Sequence, residues 1–106
     1  MTQTRTPPIP HRIRVGDKLY SVDIVETMRG KREMGRVWYD AKRIEVGEKS
    51  NITGRSYTPD QVHNTFWHEL VHAVLYEMGT NLYSNEKFVT DFANHLAKAI
   101  RSARFK

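Results

Sequence analysis

Between Val62 and Met78 the apolar residues recur at helical spacing. Val62, Phe66, Leu70, Ala73 and Val74 share one face, and Trp67, Val71 and Met78 widen it. Both ends are marked. Thr58-Pro59-Asp60-Gln61 reads as an N-cap, a proline at the first helical position and a Gln three residues after the cap. Gly79 follows the last apolar residue, where a left-handed backbone ends a helix. A helix apolar over most of its circumference belongs in a core. Its one polar sector, Thr65, His68, Glu69, His72 and Tyr76, then needs partners.

A second helical pattern follows a short connector, Thr80 to Ser84. Ser84 or Asn85 caps it, and it runs to about Ala103 with Phe88, Val89, Phe92, Ala93, Leu96, Ala99, Ile100 and Ala103 on one side. Lys87, Asn94, Lys98 and Arg101 occupy the other side.

Before the helices the period changes to two. Residues 11–15 alternate and lead through Gly16-Asp17 into residues 18–25, a hairpin or one long strand broken by a turn, with Leu19, Val22, Ile24 and Val25 supplying apolar surface. Residues 35–39 and 43–47 bracket Asp40-Ala41-Lys42 as a second hairpin, in which Ile44 and Val46 alternate with polar neighbours. Residues 28–34 and 50–56 read as loops. The expected architecture is α+β, a small antiparallel sheet followed by two packed helices. Residues 1–10, with Pro7, Pro8 and Pro10, read as a flexible tail, and 11–106 as a single domain.

Composition narrows the chemistry. A chain of 106 residues supports one modest core, and the absence of cysteine excludes disulfides, Cys-zinc sites and thiol nucleophiles. No apolar run reaches membrane-spanning length and residues 1–6 lack the apolar core of a signal peptide, so a cytoplasmic protein is expected. The net charge of +5 admits nucleic acid or an acidic protein as partner.

His68-Glu69-Leu70-Val71-His72 is an H-E-x-x-H motif. On a helix the two histidines lie one turn apart on the same face and both imidazoles reach one ion, while Glu69 projects about 100° round the axis, beside that ion. This pattern suits two zinc ligands and a general base that takes a proton from water. Chance placement on a solvated helix face is the plain alternative; the apolar flanks and the scarcity of His, five in all, weigh against it.

A catalytic zinc commonly takes a third protein ligand. The second helix offers Glu86, Asp91 and His95. Glu86 and His95 lie on opposite edges of its apolar face, and periodicity does not choose between them. Thr90, Ala93 and Ala97 near Glu86 would allow close approach to the first helix, whereas a simple antiparallel pair would bring His95 level with His68.

His68-Glu69-Leu70-Val71-His72 followed by Glu86-x-x-Val89-x-x-Phe92-Ala93-x-x-Leu96 resembles the ImmA/IrrE metallopeptidases, a gluzincin-type family, over about residues 35–100. Phe88, Val89 and Thr90 depart from the Glu, Ala and Asn or Asp frequent there. The resemblance implies a minimal zincin-like core in which Glu86 is the third zinc ligand. It is similar in size to small members of phages and mobile elements, some relatives of which cleave a repressor.

The expectation is thus a zinc-dependent endopeptidase acting on a protein or peptide. His68, His72 and Glu86 would hold the ion, Glu69 would be the base, and one of Tyr20, Tyr39, Tyr57, Tyr76 or Tyr83 would be a further donor to the oxyanion. The rival is a basic module, with or without metal, binding nucleic acid or protein through Arg12, Arg14, Arg101, Arg104 and Lys106. These charges form no compact block, which places nucleic acid second.

Overall fold

In a computed structural model that describes residues 8–30 and 32–104, four strands precede two helices. They are β1 (Arg12–Val15), β2 (Lys18–Val25), β3 (Gly35–Trp38), β4 (Arg43–Gly47), α1 (Pro59–Glu77) and α2 (Glu86–Ser102), with a 3-10 turn at Asn81–Ser84 between the helices. The α+β arrangement, sheet first and helices after, is the expected one. Of the expected tail, residues 1–7 lie outside the described residues, and Ile9 packs against the core.

β1 and β2 form the first hairpin, with Val15 opposite Lys18. Gly16 opens the turn at φ +62°, as a type II′ turn requires. β3 and β4 form the second hairpin, with Trp38 opposite Arg43. The expected all-antiparallel sheet needs one correction: its order is β1-β2-β4-β3, and β2 pairs with β4 in parallel. The loop 26–34 carries the chain past one strand position, so β3 forms the edge and β4 returns into the gap. The physical reason lies in β4 itself. Its Ile44 and Val46 are fully buried, so the most deeply buried strand takes the centre, where α1 covers it.

The pleat sends Tyr20 and Val22 inward beside Ile44 and Val46, onto Phe66, Leu70 and Ala73 of α1. Leu19, expected to add apolar surface, alternates to the outer face and is exposed. Ile24 is exposed beside an open cavity lined by Ile9, Tyr57 and Val62. Tyr20 supplies what Leu19 does not: its ring is fully buried and its hydroxyl donates to Glu77 Oε2 at 2.7 Å.

α1 starts where its cap signals place it. Thr58 Oγ1 accepts from the Gln61 amide at 3.1 Å, and Gln61 Oε1 accepts from the Thr58 amide at 2.8 Å, a complete capping box. The helix ends at Met78 and Gly79, the latter at φ +79°. Two apolar surfaces leave α1. One packs on the sheet; the other, Val71 and Leu75, packs on Val89 and Ala93 of α2. Val74 and Met78 fall between the two surfaces and stay exposed.

α2 is rotated from its expected orientation. Val89, Ala93 and Ala97 are buried, while Phe88, Phe92 and Ala99 face outward. Small residues let the helix axes approach more closely than a Phe stripe would. The same rotation turns Glu86, one turn before Val89, toward α1.

Candidate metal centre

The polar sector of α1 lies in the groove bounded by edge strand β3 on one side and α2 on the other. Thr65, Glu69 and His72 are buried there, and His68 is partly so. Gly35 makes this approach possible. A Cβ on it would lie 2.7 Å from Thr65 Cγ2, 2.9 Å from the Glu45 carbonyl oxygen and 3.0 Å from Glu69 Cγ, so only a residue without a side chain fits.

His68 and His72, one turn apart, direct their Nε2 atoms to a common point, 3.2 Å from each other. Glu86 reaches that point from the first turn of α2, with Oε1 3.1 Å from His68 Nε2 and Oε2 3.0 Å from His72 Nε2. Asn85 positions it, capping α2 by accepting the Phe88 amide at 3.0 Å.

Proton bookkeeping makes the cluster unusual. His72 Nδ1 lies 2.6 Å from the carbonyl oxygen of Tyr83, which can only accept, so the proton of a neutral His72 sits on Nδ1. Its Nε2 then presents a lone pair to a carboxylate oxygen and to a second imidazole nitrogen. His68 is disposed to the neutral form. Burial lowers its pKa and the neighbouring His72 lowers it further, against the raising effect of Glu86. Two imidazole nitrogens and a carboxylate gathered within 3.2 Å form a donor set that can hold a cation. A tetrahedral zinc with ligand bonds of about 2.0–2.1 Å would space its donors about 3.3 Å apart, close to the distances here. Among the described residues, these three form the group whose donor atoms converge, all within 4.8 Å of one another.

Glu69 sits beside this group with its carboxyl pushed up to about 8, chiefly by burial, then by Glu86 and Glu33, while Arg36 pulls it back. The site opens into a cleft of about 530 Å³ lined by loop residues Arg32, Glu33 and Met34, by Gly35, by Gln61, Asn64, Thr65, His68 and Glu69 of α1, and by Glu86 and Asn94 of α2.

His95, the other candidate third ligand, lies elsewhere. Its Nδ1 is 2.7 Å from the Asp91 carbonyl oxygen, and it lines a shallow outer depression with Phe88, Asp91 and Phe92. Asp91 pairs with Lys87 at 2.9 Å. The rotation of α2 that buries its small residues sends both outward. His63 is a core histidine that accepts from Trp67 Nε1 at 3.1 Å.

The five candidate tyrosines separate clearly. Tyr20 is committed to Glu77, and Tyr57 lines the cavity with Ile9 and Ile24. Tyr39, Tyr76 and Tyr83 form an aromatic cluster, with Tyr39 stacked on Tyr76 at 4.4 Å and edge-on to Tyr83 at 5.3 Å. Tyr39 feels the site most directly: its phenol is raised to about 12 by burial, then by Glu69, with Glu86 also contributing. Of the basic residues near the two ends of the chain, Arg101 is tied to Asn64 Oδ1 at 2.6 Å, and Lys106 lies outside the described residues.

The Tyr83 carbonyl and Gly35 were not visible in the sequence pattern, because a backbone acceptor and a missing Cβ leave no motif. No helix is long and apolar enough to cross a membrane among the described residues. The chain matches no protein-family model, no curated protein and no solved structure.

Proposed function

We propose that this chain is a zinc-dependent peptidase of the ImmA/IrrE type, with His68, His72 and Glu86 as metal ligands and Glu69 as general base. The observation that carries the reading is the convergence of two imidazole nitrogens and a carboxylate at 3.0–3.2 Å, beside a buried carboxyl and at the end of an open cleft.

A zinc ion, when bound, supplies Lewis-acid polarisation of a peptide carbonyl and acidifies water. The protein does the rest. Burial against Gly35 favours the protonated form of Glu69, and a cation on the three ligands would favour its carboxylate, which accepts the proton of the attacking water and returns it to the leaving nitrogen. Tyr39 remains protonated at neutral pH and is the phenol available as donor to the developing oxyanion. β3 is an edge strand along the cleft, and an extended peptide can pair with it while its side chains enter the cleft. A protein or peptide substrate and a cytoplasmic setting belong to the same proposal.

Comparing zinc-loaded wild type with Glu69→Gln on a mixed fluorogenic peptide library tests it. Losing the base while keeping metal and fold lowers turnover by about 10²–10⁴-fold. Equal turnover in the two proteins would remove the hydrolytic reading.

A further inference from the structure

Among the described non-glycine residues, two adopt left-handed backbone, Lys42 at φ +54° and Arg32 at φ +63°. Such conformations cost free energy in residues with a Cβ and persist where the surroundings hold them. For Lys42 the return is visible: its ammonium pairs with Glu77 at 2.6 Å and helps to satisfy the carboxylate that receives the buried Tyr20 hydroxyl. Arg32 has no such internal partner. Among the described residues its guanidinium makes no ion pair, and it is exposed on the wall of the cleft that holds His68, Glu69 and Glu86.

The backbone around Arg32 is held from outside the loop. Asn51 donates through Nδ2 to the carbonyl oxygens of Met28 at 2.8 Å and Gly30 at 2.7 Å, and its Oδ1 accepts the Arg32 amide at 3.2 Å. One side chain thus clamps the loop at three points across its turn. The neighbouring charge is already balanced: Glu33 pairs with Arg36 at 2.7 Å. Across the cleft the helices contribute the amides of Gln61, Asn64 and Asn94 beside His68, Glu69 and Glu86. Gln61 Oε1 is used in the helix cap and Asn64 Oδ1 by Arg101. Among the described residues that line the cleft, Arg32 is therefore the one Lys or Arg, and no ion pair balances it.

We infer that the cleft selects ligands carrying a carboxylate side chain, which Arg32 receives as the specificity-determining residue while Asn51 acts as the positioning residue that holds it there. A guanidinium presents paired donors that match a carboxylate, and a lysine or arginine side chain in the same place meets like charge. This deepens the peptidase reading: the preferred substrate is an acidic peptide segment lying along the cleft beside β3. The inference rests on that reading for the word substrate but not for the binding preference.

The test is binding to zinc-loaded Glu69→Gln protein, which consumes no peptide. Two fluorescent peptides identical except for one central Glu or Lys are titrated into this protein and into versions that also carry Arg32→Glu, Arg32→Gly or Asn51→Ala. The expected result is a preference of about tenfold for the Glu peptide. It should reverse with Arg32→Glu and vanish with Arg32→Gly, a change that suits the positive φ and so leaves folding intact. Asn51→Ala should weaken the preference although Arg32 is still present. Equal binding of the two peptides, no binding of either, or a preference unaffected by Arg32→Glu and Arg32→Gly would overturn the inference. Cleavage is scored separately with Glu69 intact. An Arg32-dependent preference without cleavage removes the peptidase reading and leaves the acidic-ligand cleft; cleavage without the preference does the reverse.

Discussion

The imidazole of His72 donates from Nδ1 to the carbonyl oxygen of Tyr83 at 2.6 Å. This contact ties the candidate metal centre to the 3-10 turn between the helices and determines which nitrogen is left with a lone pair. Partners of this kind orient metal-binding histidines and set their tautomer. In metal-free protein at neutral pH, nitrogen-detected NMR should show His72 as the Nδ1–H tautomer, with Nε2 the nitrogen that shifts on adding zinc. Finding the proton on Nε2 would remove the argument that His72 presents a lone pair there.

Gly35 is the narrowest point between the sheet edge and α1. Gly35→Ala forces β3 and α1 apart at Thr65 and Glu69 and should destabilise the fold by about 1–3 kcal/mol, the usual cost of overpacking. Urea unfolding measures the loss, and turnover should fall with it because Glu69 moves. A fully stable, fully active variant would show that the close approach is dispensable.

Much of this arrangement was legible from local patterns. The Thr58–Gln61 capping box, the Gly79 stop and the pairing of His68 with His72 depend on residues close in sequence, and the structure places each as expected. What was not legible depends on contacts between distant segments. The parallel pairing of β2 with β4 follows from a loop that skips a strand position. The rotation of α2 follows from how closely Ala93 and Ala97 let it approach α1, which outweighs the larger apolar area of Phe88 and Phe92. Periodicity records which residues share a face but not which of two nearly equal faces is covered. That choice also turned Glu86 toward α1 and left His95 on the far side.

If Tyr39 is the donor to the oxyanion, Tyr39→Phe removes one hydrogen bond made mainly in the transition state. Turnover should drop by about 100-fold with KM little changed. A rise in KM at constant turnover would instead make Tyr39 a substrate-binding group.

Lys42, Tyr20 and Glu77 predict a pH dependence of stability away from the centre. The Glu77 carboxylate is held below its ordinary pKa of 4.5 by hydrogen bonds, first from Lys42 and then from Tyr20. Because the folded value is depressed, the stabilisation is present above the unfolded pKa and is lost as pH falls through the folded one. Melting temperature should therefore decline below about pH 4.5 in wild type and less steeply in Glu77→Gln. Parallel acid profiles for the two proteins would contradict this.

The central claim is that His68, His72 and Glu86 hold one zinc ion, and elemental analysis of purified protein tests it most directly. Wild type, His72→Ala, Glu86→Ala and His95→Ala are measured after identical zinc reconstitution and dialysis. The account predicts about one zinc per chain in wild type and in His95→Ala, and little in the other two. Wild type that retains no zinc, or a His95→Ala protein that loses it, would contradict the account.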